Sequence, residues 1–218
     1  MIDTYRHKGM RQQMTELLAS KGIHNKRVLS ALNRVPRHLF LDSAFEEQAY
    51  MDKALPISSG QTISHPYTVA FQTQLLDPQP TDKVLEVGTG SGYQASVLSH
   101  LCAKLYTIER HEELYVKTAQ KLNRLGYKKI RSLFGDGYQG SPRFAPFDKI
   151  LVTAGAHMVP QMLLEQLQVG GVLVIPKGAS HTKTMLKITK DGEEKYSTES
   201  HGTFSFVPFL EGTVNQPV

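Results

Sequence analysis

VLEVGTGSGYQAS, residues 84–96, is the stretch from which the rest of the chain can be read. Val84, Leu85 and Val87 form a short β-prone run that ends at Gly88-Thr89-Gly90-Ser91-Gly92, and Tyr93 to Leu101 then follows a helical pattern. A strand, a glycine turn and a helix in that order open a cofactor-binding site. Gly88, Gly90 and Gly92 let the backbone turn tightly and approach a ligand closely, because no Cβ stands in the way and positive φ is accessible. The helix that follows turns its free N–H groups toward that ligand.

Lys104 to Ile108 (KLYTI) reads as the next strand. Glu109 follows it, about twenty residues beyond the first glycine, where a doubly wound sheet sets a carboxylate against a ribose. The turn is GxGxG rather than GxGxxG, and Glu86 lies within the first strand, two residues before Gly88. A dinucleotide fingerprint carries its third glycine one place later, so the pattern leans away from NAD. It resembles the first motif of class I S-adenosylmethionine (SAM)-dependent methyltransferases. The resemblance implies that Gly88, Thr89, Gly90 and Gly92 lie against the methionine part of SAM and that Glu109 holds the ribose hydroxyls.

The 218 residues, 40% hydrophobic and 21% charged, are expected to form one well-buried methyltransferase domain. Within it, residues 1–55 read as a helical cap, 56–176 as the SAM-binding core and 177–218 as antiparallel strands with a substrate segment. No apolar run of about eighteen residues occurs and MIDTYRHKGMRQQ has no apolar signal core, so the expectation is a cytoplasmic protein without a membrane span. The net charge of +5 would tolerate nucleic acid, but the basic residues are scattered. Their densest group, Lys128, Lys129 and Arg131, has no interleaved aromatics, so no nucleic-acid partner is expected. Nine dispersed histidines, without an HxxxH pair or CxxC, offer no metal site, and Cys102 reads as a buried, inert thiol within a helix.

Residues 4–21 follow a helical period with Met10, Met14, Leu17 and Leu18 along one side and Gly22 as the stop. Asn25 caps a second helix carrying Val28, Leu29 and Leu32. Residues 54–64, ALPISSGQTIS, fit neither periodic template. Beyond them Val69, Ala70, Thr73 and Leu76 share a helical side that Asp77-Pro78 ends, and Ser64 falls at the N-cap with Pro66 in the first turn. A plain helix cap is one reading of Ser64.

After the glycine motif come a helix from His111 to Leu125 and a strand from Ile130 to Phe134. Asp136, between Gly135 and Gly137, is either an ordinary aspartate turn or a group facing the adenine amino group at the carboxyl edge of the sheet. Phe147 to Thr153 is a further strand, followed by a helix over about 160–167, a Gly170-Gly171 turn and a strand from Val172 to Ile175. The alternation predicts an α/β, doubly wound and mainly parallel sheet of Rossmann-like type. Thr184 to Thr189 and Tyr196 to Phe206, around Asp191-Gly192, read as an antiparallel hairpin closing it.

Three stretches together are similar to one family: RVPRHLF (Arg34 to Phe40), AYMDKALPISSGQTISHPYTVA (Ala49 to Ala70) and the glycine motif. They resemble the protein-L-isoaspartate O-methyltransferases, and the likeness runs on through LYTIER, GDG, FDKILVTAGA, LQVGGVLVIP and FVPF. The resemblance implies SAM-dependent methylation of isoaspartyl carboxylates in damaged proteins and peptides, with return to aspartate through a methyl ester and a succinimide; a monomer is the expectation, though the sequence does not fix the oligomeric state. By position it assigns Ser64 to the active site beside the incoming carboxylate, with Thr62 and Ile63 lining the same loop. Asp136 and Gly137 would take the adenine end, and Val207 and Pro208 the substrate backbone. Ser58-Ser59 and Phe209 depart from the family's usual glycine-containing segment and leucine, which bears on loop flexibility and peptide preference. Two other readings of the pocket are a methyltransferase for a small molecule or nucleic acid, and a SAM sensor without turnover; the TIS-x-P segment argues against both.

Overall fold

In the computed structural model, which describes residues 1–215, helix α1 (Tyr5–Ser20) starts at a reciprocal cap. The Thr4 hydroxyl accepts from the His7 N–H at 3.4 Å while the His7 ring accepts from the Thr4 N–H at 3.2 Å. Gly22 stops the helix at φ 96°. Helix α2 (Lys26–Arg34) is capped by Asn25, whose side chain accepts from the N–H groups of Arg27 and Val28. Met14 and Leu18 of α1 and Val28 and Leu32 of α2 bury themselves in one core with Tyr93 and Val97. Each such side chain removed from water contributes roughly 1.5–3 kcal/mol, so the two helices are held by packing against the helix that carries Tyr93 and Val97 rather than against the sheet itself.

Residues 54–64 are more regular than expected. Strands β1 (Leu55–Pro56) and β2 (Thr62–Ile63) pair antiparallel, and the Gln61 N–H donates to the Ser58 carbonyl at 3.2 Å. Ser59 and Gly60 sit at φ 58° and 65°, the paired left-handed conformation of a tight hairpin turn. Helix α3 (Pro66–Leu76) follows. Its N-cap is His65 and not Ser64, which corrects the expected helix cap. The first-turn N–H of Tyr67 is taken instead by Asp52 Oδ1 at 2.9 Å, a carboxylate set at the positive end of the helix, so Ser64 is released from capping.

The main sheet comprises β3 (Lys83–Val87), β4 (Lys104–Glu109), β5 (Ile130–Phe134), β6 (Phe147–Val152), β7 (Leu167–Lys177), β8 (Thr182–Lys190) and β9 (Tyr196–Ser205). Helices α4 (Tyr93–Ser99), α5 (Glu112–Arg124) and α6 (Gln161–Glu165) connect its parallel strands. The order is β5-β4-β3-β6-β7-β8-β9, parallel from β5 to β7 and antiparallel through β8 and β9. The doubly wound sheet and its closing hairpin are therefore as the alternation predicted. The Gly170-Gly171 turn is not: β7 already begins at Leu167, and its register on β6 jumps from Phe147↔Leu167 to Lys149↔Val172. The glycines lie in a bulge, where a Cβ on Gly171 would come within 2.8 Å of the Gln168 carbonyl oxygen. Helix α4 also ends earlier than expected, which leaves Cys102 beyond it, buried, with its thiol pushed up to about 12 by burial.

Strand β3 stands in the middle of the sheet, with β4 and β5 laid to one side and β6 to β9 to the other. Residues Val84 to Val87 are all buried, as a central parallel strand covered on both faces requires. The reversal of strand order between β3 and β6 opens a crevice at their carboxyl ends. Among the described residues no helix is long and apolar enough to cross a membrane.

Candidate active site

The glycine loop fills the start of that crevice. Gly88, Gly90 and Gly92 take φ of 101°, 53° and 86°, which L side chains adopt only under strain. A Cβ at Gly88 would lie 2.4 Å from Thr153 Oγ1, a hydroxyl that donates to the carbonyls of Val87 and Gly88 from the neighbouring strand end. A Cβ at Gly92 would press on Thr118 and Leu122 of α5. Gly90 alone of the three has open space, its nearest neighbour being Ile57 Cδ1 at 3.8 Å. Gly88 and Gly92 thus serve packing, and Gly90 presents bare backbone.

Glu109, at the tip of β4, is buried and bound to that loop. Its Oε2 accepts from the Gly90 N–H at 2.9 Å, and its Oε1 accepts from the N–H groups of Arg110 and His111. A carboxylate offers about four acceptor positions, so capacity remains on Oε2 for a ligand hydroxyl. Asp136 uses its oxygens elsewhere, accepting from Tyr138 N–H and, across to a later segment, from Gly212 N–H, both at 2.9 Å. Gly137 is tightly covered: a Cβ there would meet Val87 Cγ1 at 2.4 Å and Phe209 at 2.9 Å.

Behind the loop lies a carboxyl whose state the sequence does not announce. Glu86 is fully buried, and burial, reinforced by Glu109, pushes its pKa up to about 8. Its Oε2 is 2.5 Å from Thr107 Oγ1, which in turn is 2.7 Å from Thr89 Oγ1, while Oε1 has no partner among the described residues. Arg37, from the RVPRHLF stretch, is another sealed charge. It donates from Nε to the Ala49 carbonyl at 2.7 Å and lies 4.9 Å from the ring of Tyr93, the first residue of α4; burial lowers its pKa to about 10.

Segment 207–214 forms a strap over the crevice. The Gly155 N–H donates to the Val207 carbonyl at 2.8 Å and the Phe209 N–H to the Gly155 carbonyl at 3.0 Å, an added parallel bridge beyond β6. At its other end the Arg110 Nε donates to the Gly212 carbonyl and the Val214 N–H to the Arg110 carbonyl.

Of the residues singled out from sequence, Thr62, Ile63, Ser64, Gly88, Thr89, Gly90, Glu109, Gly137, Val207 and Pro208 line one cleft. Gly92 and Asp136 stand outside its lining. Sequence reading gave no role to Thr153 and Gln94, which bear on the same cleft; both fall within the quoted stretches, but only the sheet order shows that the end of β6 stands beside the loop. A second groove, running past His65, His157 and Lys183, shares with the cleft the wall of Thr62, Ser64, Thr153, Val207 and Pro208. Ser64, half-buried on that wall, makes no hydrogen bond among the described residues, so its hydroxyl is free to serve either space.

The donor set suits SAM. Glu109 offers an acceptor for ribose, Gly90 an unobstructed backbone, and Gln94 a buried Oε1 at the cleft wall that has no partner among the described residues. Sheet order and cleft together place the chain among the class I SAM-dependent methyltransferases. The family described as protein-L-isoaspartate(D-aspartate) O-methyltransferase matches residues 9–214, and the chain belongs to it. The protein-L-isoaspartate O-methyltransferase of Christiangramia forsetii is 54% identical, covering 97% of this chain and 99% of its own length. That of Cytophaga hutchinsonii is also 54% identical, covering 96% and 95%. A Plasmodium falciparum structure of the same description, in complex with S-adenosyl-L-homocysteine (SAH), has a TM-score of 0.82 at 22% identity and covers 92% of this chain and 98% of its own, a likeness of fold. Membership makes this chain an enzyme that methylates isoaspartyl residues with SAM as cofactor, in protein repair.

Proposed function

We propose that methyl transfer takes place at the wall between cleft and groove, with SAM in the former, the isoaspartyl peptide in the latter and Ser64 between them. The observation that carries this is the free Ser64 hydroxyl on a wall common to both spaces. Bound SAM supplies a methyl group on a sulfonium sulfur. Gly88, Thr89 and Gly90, with Ile63, hold its methionine part, Glu109 the ribose, and Gly137 the adenine end with Asp136 beside it. Gly92 acts from below, setting the turn into α4.

No general base is needed. An isoaspartyl carboxylate, with an ordinary pKa near ~4, is ionised at neutral pH and already carries the lone pair that the transfer requires. The Ser64 hydroxyl donates a hydrogen bond to one carboxylate oxygen and so orients the other. Thr62, Val207 and Pro208 seat the peptide backbone. The chain's contribution is alignment and exclusion of water, effects that reach roughly 7–11 kcal/mol in well-oriented reactions. Cap, core and closing strands act as one domain, a monomer in the cytoplasm, on proteins and peptides rather than nucleic acid.

The test is transfer of labelled methyl from SAM to a short isoaspartyl peptide, with the aspartyl peptide as control. Base-labile label on the isoaspartyl peptide alone supports the reading. Label on neither, with SAM still bound, refutes it and points to another acceptor.

A further inference from the structure

Lys183, the second residue of β8, is 5% exposed, and its stem occupies a slot that a glycine leaves open. A Cβ on Gly155 would stand 2.7 Å from Lys183 Cε and 3.0 Å from Cγ. Gly155 does not have a positive φ, so its backbone does not require glycine; the lysine stem does. The Nζ donates to the Gly178 carbonyl at 2.5 Å. An ammonium has three donors, and among the described residues Lys183 enters no ion pair. Lys190, at the far end of the same strand and comparably buried, is provided for differently, with carbonyls of both Leu167 and Glu165 within reach. A nearly sealed cation without a counter-charge is costly, unless something that binds there brings the charge.

The surroundings say which charge. Lys183 lines the groove beyond Ser64 together with His65, His157 and His181, and among the described residues no Asp or Glu lines it. Lys183 does not line the cofactor cleft, so it stands back from the wall where the reacting carboxylate meets Ser64. We infer that Lys183 is a specificity-determining residue that binds a second carboxylate of the substrate, so that the groove selects isoaspartyl peptides with an acidic side chain close to the damaged residue. This rests on the placement of the peptide proposed above and names the enzyme's preferred substrates.

The experiment uses the full chain and isoaspartyl peptides that differ only in Glu, Gln or Lys one or two positions to either side of the damaged residue. The wild type should favour Glu over Gln by about tenfold in kcat/KM at one of these positions, carried by KM, with Lys the poorest. Lys183→Gln should bring the Glu-to-Gln ratio close to one, and Lys183→Arg should retain part of it. SAH binding by calorimetry shows whether each variant is folded. If Lys183→Gln does not fold, the wild-type series and Lys183→Arg still decide. A wild-type ratio of one or below, or a ratio that survives Lys183→Gln, overturns the inference while leaving the activity intact. Absence of transfer to every isoaspartyl peptide overturns the activity itself and the inference with it.

Discussion

Replacing Glu86 by Gln removes a titration that the sheet seals from water, and the consequence can be worked from the structure. With its folded pKa pushed up to about 8 from an ordinary 4.5, Glu86 keeps its proton in the folded chain over a window in which the unfolded chain has lost it. The folded state binds the extra proton, so stability falls as pH rises through that window, by about 1.4 kcal/mol per pH unit. Below 4.5 both states hold the proton, and above about 8 neither does, so the slope vanishes at both ends. Glutamine has nearly the same shape, can still bond Thr107, and has no proton to lose. Urea unfolding of both proteins between pH 5 and pH 8 should therefore give a difference that grows in favour of Glu86→Gln by roughly 4 kcal/mol across the range. Titrations elsewhere cancel in the difference. A difference independent of pH, or one that grows in favour of the wild type, would show that the buried carboxyl is ionised in the folded protein and refute the reasoning.

Ser64→Ala should cut turnover on an isoaspartyl peptide by about tenfold or more, the worth of a hydrogen bond to a charged group, with SAH affinity unchanged. Its stability in urea should stay within about 0.5 kcal/mol of wild type, because Asp52 and not Ser64 caps α3. Glu109→Ala should weaken SAH binding by about a hundredfold in calorimetry; unaltered affinity would remove the ribose assignment. Gly88→Ala and Gly90→Ala should separate packing from ligand approach. The first, 2.4 Å from Thr153, should lose about 1–3 kcal/mol of stability, and the second, with open space, should cost less in urea but more in SAH binding.

The fold was legible wherever local pattern and burial agree. Val84 to Val87 reads as a strand because it is buried on both faces, and Gly22 and Asn25 end and begin helices where their chemistry predicts. Ser64 was misplaced as a cap because the actual cap, Asp52, comes from a turn twelve positions earlier, a contact no short-range rule detects. Gly170-Gly171 looked like a turn because the same residues serve turns and bulges, and only the partner strand distinguishes them. The glycine loop and Glu109 were visible as motif. Thr153 and Gln94 lie in quoted stretches too, yet their part in the cleft was not legible, since they reach it through sheet order and helix direction. Glu86 was conspicuous in sequence as a departure from a dinucleotide pattern, yet its proton depends on complete burial, which sequence does not display.

The strap at 207–214 has a consequence in the order of synthesis. It follows β9 in the chain, so every strand of the main sheet, the glycine loop and Glu109 leave the ribosome before the residues that cover the crevice. Val207 to Leu210, one wall of the cleft, are thus among the last of the site's residues to be made. Domains generally fold as units. The cofactor site is complete only once the strap runs from Gly155 to Arg110, so a chain cut before Val207 would keep every strand of the sheet in its sequence and lack a wall of the cleft.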